Sequence, residues 1–148
     1  SRGLGDVYKR LLEHLRSLEV TQGASAVIGF CFGGTQAFRM AAHLDPACVV
    51  SYYGSGTADL LGDLDKVNCA VTFHFGDNDP YLPMTDVDKI KAAVADRNEI
   101  TVHVHKGGGH AFDNSFAPHF SQPEIASVAW AQTLAFLFLH IGGPGRGA

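Results

Sequence analysis

The sequence predicts an α/β domain: a three-layer sandwich with about four parallel strands and helices on both faces. Three observations predict it. Short apolar runs bounded by turn formers alternate with longer segments of helical periodicity, the pattern of a parallel sheet with crossover helices. The clearest run, "SAVIGF" at 25–30, is apolar throughout, as in strands covered on both faces. The chain has 148 residues, 46% apolar and 18% charged, enough for one real core and too apolar for disorder. Right-handed crossovers then place the strands side by side in chain order.

Val7, Leu11, Leu12, Leu15 and Leu18 recur at helical spacing among Lys9, Arg10, Glu13 and Arg16, which predicts an amphipathic helix over 5–19. Strand 25–30 follows, then a helix over 33–44 ended by Asp45-Pro46. "CVVSYYG" (48–54) reads as a strand, and 55–67 as a loop with one helical turn. "CAVTFHF" (69–75) is a strand. Residues 85–97 form a helix, with Thr85 as N-cap and Asp86 and Asp88 in its first turn. "EITVHVH" (99–105) is a strand in which His103 and His105 share one polar face. A helix over 123–141 starts at Pro123. The whole chain, 1–148, reads as a single domain, with 142–148 as a frayed, glycine-rich tail.

The net charge of −4 and the lack of a basic stripe argue against nucleic acid as a partner. No uninterrupted apolar run reaches the roughly 18 residues of a membrane span, so no membrane partner is expected. The N-terminus lacks the apolar centre of a signal peptide. Cys31, Cys48 and Cys69 match no metal spacing; a reducing, cytoplasmic location is expected.

In parallel sheets ligands bind beyond the carboxyl ends of the strands. Three such ends carry chemistry. After the first strand stands Gly29-Phe30-Cys31-Phe32-Gly33, the nucleophile-elbow pattern with cysteine for serine. Gly29 and Gly33 are expected to let strand and helix approach closely. The turn pushes Cys31 out over a helix N-terminus whose free N–H groups favour a thiolate, and the Phe32 N–H is the expected oxyanion donor. After the third strand, Asp77 and Asp79 compete to orient a histidine. After the fourth, three glycines lead to His110. Each signal alone has a plainer explanation: a buried cysteine in a glycine-rich turn, an Asx turn into Pro80, an exposed histidine in a flexible loop. Together they follow the order nucleophile, acid, histidine of α/β-hydrolases. A zinc site from His103, His105 and His110 would lack a carboxylate or cysteine at matching spacing; no metal or other cofactor is expected.

With these motifs the chain resembles the dienelactone hydrolase family of α/β-hydrolases. "GFCFGG" matches its cysteine elbow, "FHFGDNDPYLP" its acid loop and "GGGHAF" its histidine loop. The resemblance runs from about residue 5 to about 140. It implies a triad of Cys31, Asp79 and His110, the register of the acid loop selecting Asp79 over Asp77. It implies a pocket wall including Tyr53; Phe112 and Asn114 are expected there too. It implies hydrolysis of a small ester or lactone through an acyl-enzyme. Family members carry roughly one more half-domain before the first helix, with early strands, a second oxyanion N–H and a glutamate that primes the cysteine. The chain is therefore expected to be a truncated α/β-hydrolase-like sandwich, the C-terminal part of the fold. Family enzymes acting on carboxylated lactones have an arginine four residues after the histidine, where this chain has Asn114. The 25–30 strand becomes an open edge on this reading, so a homodimer or larger assembly covering it is expected. The alternative is a catalytically impaired homologue acting as a binding or assembly module. A redox-sensing thiol is a weaker third reading, since no resolving cysteine is close in sequence.

Overall fold

The computed structural model describes residues 4–21 and 24–142. Helix α1 (Leu4–Ser17) ends in a short 3₁₀ turn at Glu19–Thr21. Then come β1 (Ala26–Phe30), α2 (Phe32–His43), β2 (Cys48–Tyr52), a 3₁₀ segment (Thr57–Lys66), β3 (Ala70–Gly76), α3 (Met84–Ala93), β4 (Ile100–His105) and α4 (Pro123–Ile141). The four strands form one parallel sheet in the order β1-β2-β3-β4. Of the tail expected at 142–148, residues 143–148 lie outside the described part.

Strand alternation divides the core into two layers. Val49, Val71, Phe73 and Phe75 face α2, α3 and the 3₁₀ segment and are buried with Phe38, Val87 and Ile90. Val50 and Tyr52 face the other way, toward Ala129 of α4 and Phe112. On that second face the register places Phe30, Tyr52, His74 and His103 in one row across the sheet. Their rings follow one another at 4.8, 4.5 and 5.0 Å between centroids, the first pair tilted and the next two stacked.

Three local expectations are corrected. Residues 57–66 form a ten-residue 3₁₀ segment rather than a loop with one helical turn. Ala58, Leu61 and Leu64 all pack toward the core, and a spacing of three is the period of that helix. Thr85 is not the cap of α3: Pro83 holds that place with extended backbone (φ −64°, ψ 147°), and its carbonyl accepts from the Asp86 N–H at 2.9 Å. Helix α3 ends at Ala93, four residues short of the expected 97. The polar face of β4 lies against the second core layer. His105 is buried, and its Nε2 lies 3.0 Å from His74 Nδ1. His74 Nε2 meets Thr133 Oγ1 of α4 at 3.1 Å, and the Tyr52 hydroxyl meets the same oxygen at 2.7 Å. Burial, and then the neighbouring His103 and His105, push the His74 imidazole down to about 3.

Helix α4 has apolar residues all round. Ala129 and Thr133 are buried, while Trp130, Leu134, Phe138 and Leu139 are exposed. By length and composition it could cross a membrane, a criterion the sequence reading expected no segment to approach. A helix laid over a core meets the same criterion, and one side of α4 is used in that way. Strand β1 forms one edge of the sheet, pairing with β2 alone among the described residues, and β4 forms the other. Ile28 and Phe30 on it are 37% and 42% exposed.

Candidate active site

Cys31 stands between β1 and α2 with φ 54° and ψ −122°, a region costing a non-glycine residue on the order of 1–3 kcal/mol. Both of its backbone groups are held. Its N–H donates to Tyr52 O at 3.0 Å, and its carbonyl accepts from Gly34 N at 2.9 Å and Thr35 N at 3.3 Å. The glycines explain how the turn closes. A Cβ on Gly29 would lie 1.9 Å from Gly33 O, and one on Gly34 would lie 2.4 Å from Tyr52 O. A Cβ on Gly33 would meet nothing within 4 Å, so close approach requires Gly29 and Gly34, not Gly33. The thiol is exposed. Phe32 opens α2, so its N–H has no acceptor within the helix.

The acid and histidine loops are bound to each other. Asp77 N–H donates to His105 O at 3.2 Å, Asn78 N–H to Gly108 O at 2.9 Å, and Gly107 N–H to Asp77 Oδ1 at 2.6 Å. Gln122, at the foot of α4, clamps the same loop. Its Oε1 accepts from Gly109 N–H at 2.7 Å and its Nε2 donates to Gly107 O at 2.8 Å. The three glycines therefore make a pinned turn, not a mobile one.

Asp79 is buried. Its Oδ1 accepts from the Tyr81 N–H at 2.8 Å, and its Oδ2 lies 2.8 Å from His110 Nδ1. His110 Nε2 lies 3.1 Å from Cys31 Sγ. The rings of Tyr53 and Tyr81 flank the imidazole at 4.9 and 5.0 Å. The structure thus brings Cys31, His110 and Asp79 into one connected array and gives Asp77 a different task. A carboxylate only accepts, so Nδ1 carries the hydrogen shared with Asp79, and the Nε2 lone pair faces the thiol. Such an array can move a proton from sulfur to imidazole. His103 and His105 turn instead toward His74 and do not join His110.

A cavity of about 370 Å³ opens beside Cys31, lined by Phe30, Tyr53, Asp113, Asn114 and Phe116 among others. Tyr53 has φ 37° and is almost fully buried. Its hydroxyl donates to Asp113 Oδ1. Burial first, then that carboxylate, raise the Tyr53 phenol far above its usual range. Phe112 is not in the pocket wall. Ala111 takes φ 52°, and Phe112 is sealed between Tyr53 and His105, at 5.4 and 5.3 Å. Cys48 and Cys69 are buried, which pushes their thiols up to about 12 and about 11. Tyr81, Gln122 and Asp113 escaped the sequence reading. Tyr81 stood two residues from Asp79 as a readable hint; the other two had no local signal.

The family pattern described as "Dienelactone hydrolase family" matches residues 2–140. A carboxymethylenebutenolidase from a Pseudomonas species is 33% identical over 135 residues, covering 91% of this chain and 56% of that protein. Carboxymethylenebutenolidase 1 of Cupriavidus pinatubonensis is 30% identical over 126 residues, covering 85% of this chain and 53% of that protein. The chain spans about half the length of these curated relatives. A solved dienelactone hydrolase-like promiscuous phosphotriesterase from metagenomic libraries superposes with a TM-score of 0.77 at 19% identity, over 87% of this chain and 58% of that one. At that identity the likeness speaks for the α/β fold.

Proposed function

The chain belongs to the dienelactone hydrolase family, and on that premise we propose that it hydrolyses small esters or lactones through a Cys31 acyl-enzyme. The observation that carries this reading is the array Sγ–Nε2 at 3.1 Å and Nδ1–Oδ2 at 2.8 Å, opening on a cavity. His110 Nε2 takes the thiol proton as sulfur bonds to the carbonyl carbon. The carbonyl oxygen becomes an oxyanion facing the Phe32 N–H at the positive end of α2. Collapse breaks the bond to the leaving oxygen, which takes the proton from His110, and a thioester remains. Water then attacks the thioester and gives a proton to His110. The acid leaves, and the thiol regains that proton. Asp79 keeps the imidazole in the productive tautomer and stabilises its cation.

Names of the relatives, carboxymethylenebutenolidase among them, support a lactone or enol ester as substrate. The outer edge of β1, unpaired among the described residues, supports a homodimer or larger assembly; a strictly monomeric species in sedimentation at micromolar concentration would remove that part. The activity itself is tested by pre-steady-state kinetics with an activated aryl ester on the chain and on Cys31→Ala. A burst followed by slower turnover, absent in the variant, is expected. Equal turnover by both would remove the nucleophile, and no turnover by either would leave a binding or assembly module.

A further inference from the structure

Resting on the hydrolase reading above, we propose that the site turns away anionic substrates and takes neutral or cationic esters, with Asp113 making the selection. Asp113 lies three residues beyond His110 and lines the cavity that holds Cys31. It also lines an adjoining cavity of about 400 Å³ between Phe30, Tyr52 and Trp130 of α4. Phe30, Asp113 and Ser115 are common to both. A substrate whose carbonyl sits at Cys31 therefore passes this carboxylate whichever cavity takes its remainder.

The carboxylate is fixed and unneutralised. One oxygen accepts the Tyr53 hydroxyl hydrogen, a neutral donor that leaves the negative charge in place. The second has no hydrogen-bond partner among the described residues. No lysine or arginine lines either cavity among the described residues, and Asn114, three serines, Tyr52, Tyr53 and Trp130, the other hydrogen-bonding side chains there besides Cys31, are neutral. The remaining acid of the site, Asp79, is hydrogen-bonded to His110 and adds no cation. The thiol and imidazole exchange one proton between them, so together they add no net charge. A substrate carboxylate held in this half-enclosed space meets another carboxylate with no side-chain cation among the described residues to offset it, and rejection by like charge is a strong source of specificity.

The test uses the full chain and Asp113→Asn, in which Oδ1 still accepts from Tyr53. The first readout is alkylation of Cys31 by neutral iodoacetamide and anionic iodoacetate, each rate normalised to free cysteine. Cys48 and Cys69 are buried, and Cys31→Ala supplies the blank. The chain should prefer iodoacetamide by about tenfold beyond the free thiol at low salt. The preference should shrink at 0.5 M NaCl, and Asp113→Asn should lose most of it. The second readout is kcat/KM for 4-nitrophenyl hexanoate against mono-4-nitrophenyl adipate, with the same expected direction and the same loss in Asp113→Asn. Ester turnover with no charge preference in either readout, or a preference unchanged in Asp113→Asn, overturns the proposal and leaves hydrolysis standing. No turnover of any ester, with the alkylation preference intact, overturns the hydrolase reading and upholds the charge filter.

Discussion

A Cβ added to Gly29 would lie 1.9 Å from the carbonyl oxygen of Gly33, so strand and helix meet backbone to backbone beneath the thiol. No flexible side chain is there to give way. Gly29→Ala should lower stability by on the order of 3 kcal/mol or prevent folding. Gly33→Ala, whose methyl would enter open space inside α2, should gain about 0.5–1 kcal/mol from helix propensity. Urea midpoints of the two variants should move in opposite directions.

Asp77 and Asp79 are separated by partner as well as position: one holds the Gly107 N–H, the other the His110 ring. Asp79→Asn presents His110 with an amide that can turn its NH₂ toward Nδ1 and favour the wrong tautomer, so kcat should fall on the order of 10³-fold. Asp77→Asn keeps an Oδ1 for the Gly107 N–H and should lose less than about threefold, the single bond it holds being worth roughly 1 kcal/mol. Steady-state kinetics on one ester decides between them; equal losses would place the acid wrongly.

Gln122 touches the histidine loop at Gly107 and Gly109 and lines neither cavity. On the proposed mechanism it positions His110. Gln122→Ala should lower kcat about tenfold with little change in KM, since one misplaced catalytic group costs rate rather than binding. Its effect on the urea midpoint should match about two ordinary hydrogen bonds. A change confined to KM would contradict this.

Acid should loosen the α4 side of the sheet. His74 titrates near 3 in the fold and near 6.5 in the unfolded chain. Between these values the unfolded state binds the extra proton, so the stability present above about pH 6.5 drains away as pH falls toward 3. This residue alone should contribute a loss on the order of 2 kcal/mol between pH 6.5 and 5. Burial lowers His103 and His105 as well, adding in the same direction. Denaturation followed by Trp130, the chain's one tryptophan, should show this slope, and His74→Phe should flatten it. A slope unchanged in that variant would assign the acid sensitivity elsewhere.

The strand order and the start of α4 could be read from the chain because breakers mark them. Asp45-Pro46 follows α2, and Pro123 opens α4 where it was expected. The three strand ends that meet at Cys31 were readable for a similar reason: each lies where an apolar run stops and glycines begin. What covers a face was not readable. Alternation put His103 and His105 on one side of β4, yet the covering of His105 depends on Phe112, and that of the neighbouring His74 on Thr133 of α4, both arriving from the distant end of the chain. Phe112 looked like pocket wall because it follows the histidine loop; the left-handed backbone at Ala111 sends it inward. Gln122 gave no local sign because its role exists only after the loop has closed on it.

Because each strand pairs with the next one in the chain, the sheet can grow in the order of synthesis. Cys31 and His110 lie 79 residues apart, so at ribosomal speed the base emerges roughly 4–16 s after the sulfur. During that interval Cys48 and Cys69 also appear, and until β2 and β3 are shielded all three sulfurs are open to oxidants. The nascent chain thus passes through a window of vulnerability to stray cross-linking that the finished protein has closed for two of its three cysteines.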